Sequence, residues 1–255
     1  MITPPTFLIN LDGSADRLQS ATAQLNAAGI AFERVPAFDG RNLNPDQFPD
    51  YDAEAAIRYM GRPLRGGEIG CYLSHLSAAR KVVESGAPFG MVLEDDLDLL
   101  PGFAEGVTLV LQWLAQGTNT WHLVHLAPNR HKIYTTLDTF SVAGQPHDIT
   151  RGHYFPMTTT ALLWTRAGAQ AFVANHRHIT MPVDNYFRHW QVRENRGLAV
   201  WPPLVATTGA DSDIDDGAGR RERQGRHPLY GWRKQRRLFT DKAIALRHKL
   251  AARHS

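Results

Sequence analysis

The residues best suited to chemistry are the carboxylates of Met91-Val92-Leu93-Glu94-Asp95-Asp96-Leu97-Asp98, where three apolar residues run into three acids and a fourth follows. Phe89–Leu93 reads as a short buried strand. Three carboxylates at its end repel one another, and each loses hydration if partly buried. A solvated acidic strand exit is the plain reading of such a triplet. The chemical reading is a hard divalent cation, which takes oxygen ligands and keeps substrate phosphates as co-ligands.

The flanking stretches supply elements that position this triplet. Thr6–Leu11 reads as a strand, residues 15–28 as a helix stopped by Gly29, and Ile30–Val35 as a second strand. Strand, helix and strand within so few residues predict a parallel sheet, whose ligands sit beyond the carboxyl ends of its strands. Asn10, Asp12, Arg17, Asp39 and Gly40 fall near that edge, although Asp39-Gly40 alone also suits an ordinary turn. A helix from Glu68 to about Ser85 carries Ser74 and His75 in its interior. Pro101 opens a helix to about Ala115, Trp121–Leu126 reads as a strand, and residues 129–150 as a hairpin or loop excursion. Thr158–Trp164 reads as a strand, Arg166–Asn175 as a short helix, and Asp184 sits in the first turn of a helix running through Trp190. A carboxylate there suits the helix dipole whatever its function. Leu198–Trp201 and Leu204–Ala206 read as a last strand broken by Pro202-Pro203.

At 43% hydrophobic and 21% charged residues, the composition is that of a globular protein, and no apolar run is long enough to span a bilayer. The N-terminal residues lack the basic and apolar regions of a signal peptide, and the single cysteine, Cys71, permits no internal disulfide; both lead us to expect a cytoplasmic protein. The net charge of +3 conceals an asymmetry. Residues 220–255 carry 12 Lys and Arg against Glu222 and Asp241, a surplus of +10, which leaves −7 on residues 1–219. The expected organisation is one α/β domain over 1–219 and a basic amphipathic helical tail over 220–255. Bases interleaved with Trp232, Phe239 and Leu246 suit an anionic membrane surface, against the alternatives of nucleic acid and a helix packed on the domain. No nucleic acid is expected as a partner.

The chain resembles glycosyltransferase family 25, the lipooligosaccharide-type galactosyltransferases. The resemblance rests on Ile9-Asn10-Leu11-Asp12 with Asp16-Arg17, on Phe32–Val35 with Ala37-Phe38-Asp39-Gly40, and on Gly67-Glu68-Ile69-Gly70-Cys71-Tyr72-Leu73-Ser74-His75 followed by Leu93-Glu94-Asp95-Asp96. Ala161–Ala169 and Pro182-Val183-Asp184 extend it, to cover roughly residues 6–210. It implies a GT-A-like, single Rossmann-type domain with a mainly parallel central sheet. It also implies a UDP-sugar donor (UDP-galactose), a divalent metal (Mn²⁺), inversion at the sugar carbon and a glycan or glycolipid acceptor such as lipopolysaccharide. Such an enzyme would work on the inner face of the cytoplasmic membrane.

By the same resemblance Asp96 is the metal ligand, Asp95 faces the ribose or a metal-bound water, and Glu94 orients the pair. Asn10, Asp12, Arg17, Asp39, Gly40, Ser74 and His75 belong to the nucleotide-sugar site. Inverting transfer needs a base at the acceptor hydroxyl; Asp184 is the expected base, with Asp98 and Asp213 as rivals. Asp213 is also the expected late metal ligand, alongside Asp211. The competing function is a sugar-nucleotide sensor or scaffold that performs no transfer. Metal-dependent nucleotidyl transfer would use similar carboxylates, but no Gly-rich phosphate loop adjoins the first strand.

Overall fold

The computed structural model describes residues 4–117, 121–208 and 226–252. Its centre is an eight-stranded sheet. In chain order the strands are β1 (Thr6–Asn10), β2 (Glu33–Pro36), β3 (Phe89–Glu94), β5 (Leu123–His125), β6 (Tyr134–Val142), β7 (Gln145–Gly152), β8 (Ala161–Thr165) and β9 (Gly197–Trp201). Their spatial order is β2-β1-β3-β8-β5-β9-β7-β6. β1, β2, β3, β5, β9 and β6 run one way, and only β8 and β7 are reversed. The sheet is therefore mainly parallel, with one reversed strand, β8, inserted between β3 and β5.

Helices cover both faces: α1 (Ala15–Ala27), α2 (Ala53–Met60), α3 (Gly66–Glu84), α4 (Phe103–Gln116), α5 (Arg166–Asn175) and α6 (Val183–Glu194). Strand residues alternate between two cores, as the pleat requires. Phe7, Ile9, Val92 and Trp164 join the side chains of α2, α3, α5 and α6, whereas Leu8, Met91, Leu93 and Leu163 join those of α1 and α4. Burial on both faces explains why these strands read as continuous apolar runs.

The broken last strand of the sequence reading is two strands in two sheets. β9 lies in the main sheet, whereas β10 (Val205–Thr207) pairs antiparallel with β4 (Leu97–Leu99) in a separate ribbon. The acidic turn separates the two: Asp95 and Asp96 turn the chain out of β3 into β4, and β10 pairs with β4 rather than with the main sheet. Residues 129–150 include most of a true hairpin, β6 and β7, at one margin of the sheet. The helix expected from the basic tail is α7 (Tyr230–Ala251), which packs on α2 and α6. The domain boundary expected at residue 219 lies outside the described residues.

Candidate active site

The carboxyl ends of β1 and β3 meet at a cleft. It is lined by Asn10 and Arg17, by the Phe38–Arg41 loop after β2, by one face of α3 and by Glu94, Asp95 and Asp96. With its open mouth it holds about 720 Å³ of empty space.

Local sequence explains how α3 comes so close to the β2 loop. A Cβ on Gly40 would stand 2.0 Å from the Gly66 carbonyl oxygen, and one on Gly70 would stand 2.4 Å from the Phe38 oxygen. Only glycines let the two backbones approach this closely. Ser74 locks the contact, accepting from Phe38 N at 2.8 Å and donating to Gly70 O at 2.7 Å. The first turn of α3 is held by Glu68, which accepts from Arg65 N at 2.9 Å and takes Arg62 on both oxygens.

The three acids are held differently. Glu94 Oε1 lies 2.8 Å from His75 Nε2 and accepts from the Thr159 hydroxyl at 2.7 Å. Burial alone would raise the Glu94 pKa, but the hydrogen bond and charge of His75, with Thr159 and Arg17, hold it below the usual value. Asp95 is buried, accepts from Asn10 Nδ2 at 2.6 Å and pairs with Arg17. Burial outweighs those partners and raises its pKa. Asp96 has weaker support, from the charge of Arg17 and its own backbone N–H. Its Oδ1 is sealed from solvent and finds no hydrogen-bond partner. Burial, then the charge of Glu94, push its pKa up to about 6, with Asp95 adding to the rise.

The remaining expected residues divide. Asn10 is fixed by Arg34, whose Nε donates to its Oδ1 at 2.9 Å, so its amide faces Asp95. Asp12 is exposed, paired with Arg34 and outside the cleft lining. Asp39 sits at the cleft with its carboxylate bound to Arg41, whose hydrogen bond lowers its pKa. Gly40 serves the backbone contact with α3. Asp184 opens α6, accepts from Asn185 N and Nδ2 at 2.6 and 2.9 Å, and does not line the cleft. Burial raises its pKa, the direction a general base needs. Its charge acts on the Cys71 thiol, as do those of Glu94, Glu68 and Asp96. Asp98 is exposed on β4. Asp211 and Asp213 lie outside the described residues, although Thr208, just before them, donates its N–H to Asp96 O at 2.9 Å.

Sequence reasoning missed Thr159, Arg34 and Arg41, the last a cleft residue that directly follows Asp39-Gly40. Thr159 reaches Glu94 because β8 runs antiparallel to β3, which brings the residues before β8 to the carboxyl end of β3. Arg34 alternates with the apolar side chains of β2 and faces Asn10; only its place in the Phe32–Val35 motif pointed to it.

Two donor sets in the cleft could hold a metal. Cys71, His75 and Glu94 place one ligand atom each within 4.8 Å of one another. Burial pushes the Cys71 thiol well above its usual pKa, which opposes the thiolate a soft metal needs. The orphaned Asp96 oxygen beside Asp95 suits a hard, oxygen-seeking cation better.

The fold and cleft define an α/β ligand-binding domain whose site lies at the carboxyl edge of its parallel strands. The model of glycosyltransferase family 25 (LPS biosynthesis protein) matches residues 3–187, and the chain belongs to that family. Procollagen galactosyltransferase 1 of Danio rerio is 25% identical over 228 residues, covering 81% of this chain and 37% of that protein. A glycosyltransferase 25 family member of Aedes aegypti is 29% identical, covering 82% and 37%. The inactive glycosyltransferase 25 family member 3 of Homo sapiens is 30% identical, covering 82% and 37%. The chain thus spans little more than a third of these relatives. A solved glycosyltransferase involved in glycosylation of the major capsid of PBCV-1 superposes with a TM-score of 0.42 at 10% identity, covering 82% of this chain and 95% of that one. That likeness is too distant to bear on the site.

Proposed function

We propose that the protein is a metal-dependent glycosyltransferase that moves a sugar, galactose, from a UDP-sugar to a hydroxyl of a glycan or glycolipid acceptor, with inversion at the sugar carbon. The acceptor class suggested by the family is lipopolysaccharide or a related surface glycan. The observation that carries the reading is the half-buried Asp96 carboxylate, whose Oδ1 is sealed from solvent without a hydrogen-bond partner and whose pKa is pushed up by desolvation and then by the charge of Glu94.

Asp96 would hold a divalent cation, Mn²⁺, with Asp213 as the further ligand and Asp95 facing the ribose or a metal-bound water. When bound, that ion supplies positive charge against the diphosphate of the leaving group. His75 and Thr159 fix the orientation of Glu94, while Asn10 and Arg17 fix that of Asp95. Arg17 and Arg41, paired with Asp95 and Asp39, line the nucleotide end of the cleft. Asp184 takes the acceptor proton as the new glycosidic oxygen bond forms and the bond from sugar carbon to phosphate oxygen breaks, releasing UDP.

A second reading, a sugar-nucleotide binder without transfer, is favoured by the relative described as inactive. Incubating the protein with UDP-sugars and Mn²⁺ or EDTA, and following UDP release, separates the two. Metal-dependent turnover of one donor, abolished in Asp96→Ala, is the expected result. Binding of a donor by calorimetry without turnover, with acceptor glycans supplied, would replace transfer with the sensor reading.

A further inference from the structure

Helix α7 has two faces of opposite character. Its inner face is committed to the domain: Asp241 and Ala245 are buried, Arg193 Nη1 reaches Asp241 Oδ1 at 3.1 Å, and Arg233 donates to Ile57 O at 2.6 Å. Its outer face carries Trp232 (59% exposed), Phe239 (74%), Leu246 (49%) and Leu250 (55%). Spacings of seven, seven and four residues place these four on one stripe. Arg236, Lys242 and Arg247, all exposed, flank it.

Beside that stripe lies a second feature. Arg58 of α2, Arg193 of α6, and Arg233, Arg236 and Arg237 of α7 line one groove, in which Arg193 pairs with Asp241, Arg58 with Glu54, and Arg233 and Arg237 also donate to the Ile57 and Tyr59 carbonyl oxygens, so five cations face two acids. Guanidinium groups gathered in this way match phosphate oxygens.

We propose that the outer face of α7 is a docking surface for an anionic phospholipid bilayer, with its apolar stripe in the headgroup boundary and lipid phosphates in the arginine groove. The charge pattern selects this occupant. A second copy would set α7 against α7, bringing Arg236, Lys242 and Arg247 against their like. Nucleic acid would match the arginines and its bases could stack on the rings, but it offers no apolar partner for the two leucines. Only an anionic bilayer complements both features at once. This inference is independent of the transfer reaction.

The test is sedimentation of the full chain with phosphatidylcholine vesicles, with and without phosphatidylglycerol, at low and high salt. Pelleting only with the anionic vesicles, relieved by salt and accompanied by a blue shift of tryptophan emission, is expected. Phe239→Glu should lower partitioning about tenfold by withdrawing one aromatic ring from the bilayer. Arg236→Glu should lower it on anionic vesicles, and both variants should keep the parent circular dichroism and UDP-sugar turnover. No pelleting at low salt, or equal binding to neutral vesicles, overturns the proposal. So does a dimer that Phe239→Glu abolishes, or duplex DNA binding that Phe239→Glu leaves intact.

Discussion

Asp96 is where residue chemistry and folding pull against each other. Its folded pKa, about 6, lies above its unfolded value, so its contribution to metal-free stability is complete below the unfolded pKa and is lost as pH rises through about 6. A divalent cation needs the ionised form, so its binding strengthens over the same range. Thermal unfolding with and without Mn²⁺, at about pH 5 and about pH 7.5, should show metal stabilisation only at the higher value. Asp96→Asn should abolish that stabilisation and raise metal-free stability at about pH 7.5 by about 1 kcal/mol, by removing one of three crowded charges. Equal stabilisation of Asp96→Asn by Mn²⁺ would place the metal elsewhere. The acid triplet was legible because charge at a strand exit conflicts with burial wherever it occurs. Thr159 was not, because the direction of β8 leaves no mark on its own residues, and only the pairing with β3 brings that hydroxyl to Glu94.

Among the elements, α3 does most to shape the cleft, and its glycines matter more than its apolar periodicity suggests. Gly70→Ala would drive a methyl group into the Phe38 carbonyl, with backbone on both sides and no flexible side chain to yield. We expect a loss of about 3 kcal/mol, read by chemical denaturation, together with weakened donor binding, because the Phe38–Arg41 loop lines the same cleft. A Gly70→Ala protein with parent stability would show that the loop yields freely. Local signals placed α5 at its observed bounds, since Thr165 caps its start and the apolar run ends at Asn175. They failed at residues 197–207, where Pro202-Pro203 reads as an interruption. Allocation of the two halves to different sheets depends on β4, a hundred residues away in sequence.

At the scale of the whole molecule, charge asymmetry resolves into a helix anchored on one face and open on the other. Asp241→Ala removes the buried acid that holds Arg193 and should loosen α7 without disturbing the sheet. The expected cost is about 2 kcal/mol, below that of a fully buried pair because Arg193 is partly exposed. Hydrogen exchange should rise across residues 230–251 and stay unchanged in β1 and β3; a uniform rise would show that α7 is integral to the core. The amphipathic tail was legible in composition, whereas its docking on α2 and α6 was not, because it depends on single long-range contacts such as Arg233 to Ile57. One compositional fact gains a use from the fold. The chain has a single thiol, Cys71, and it lines the cleft. A thiol-reactive fluorophore therefore has one address in the unaltered protein, reached slowly at neutral pH because burial raises the thiol's pKa and faster in alkali, and its emission would report optically on what enters beside Glu94 and Asp96.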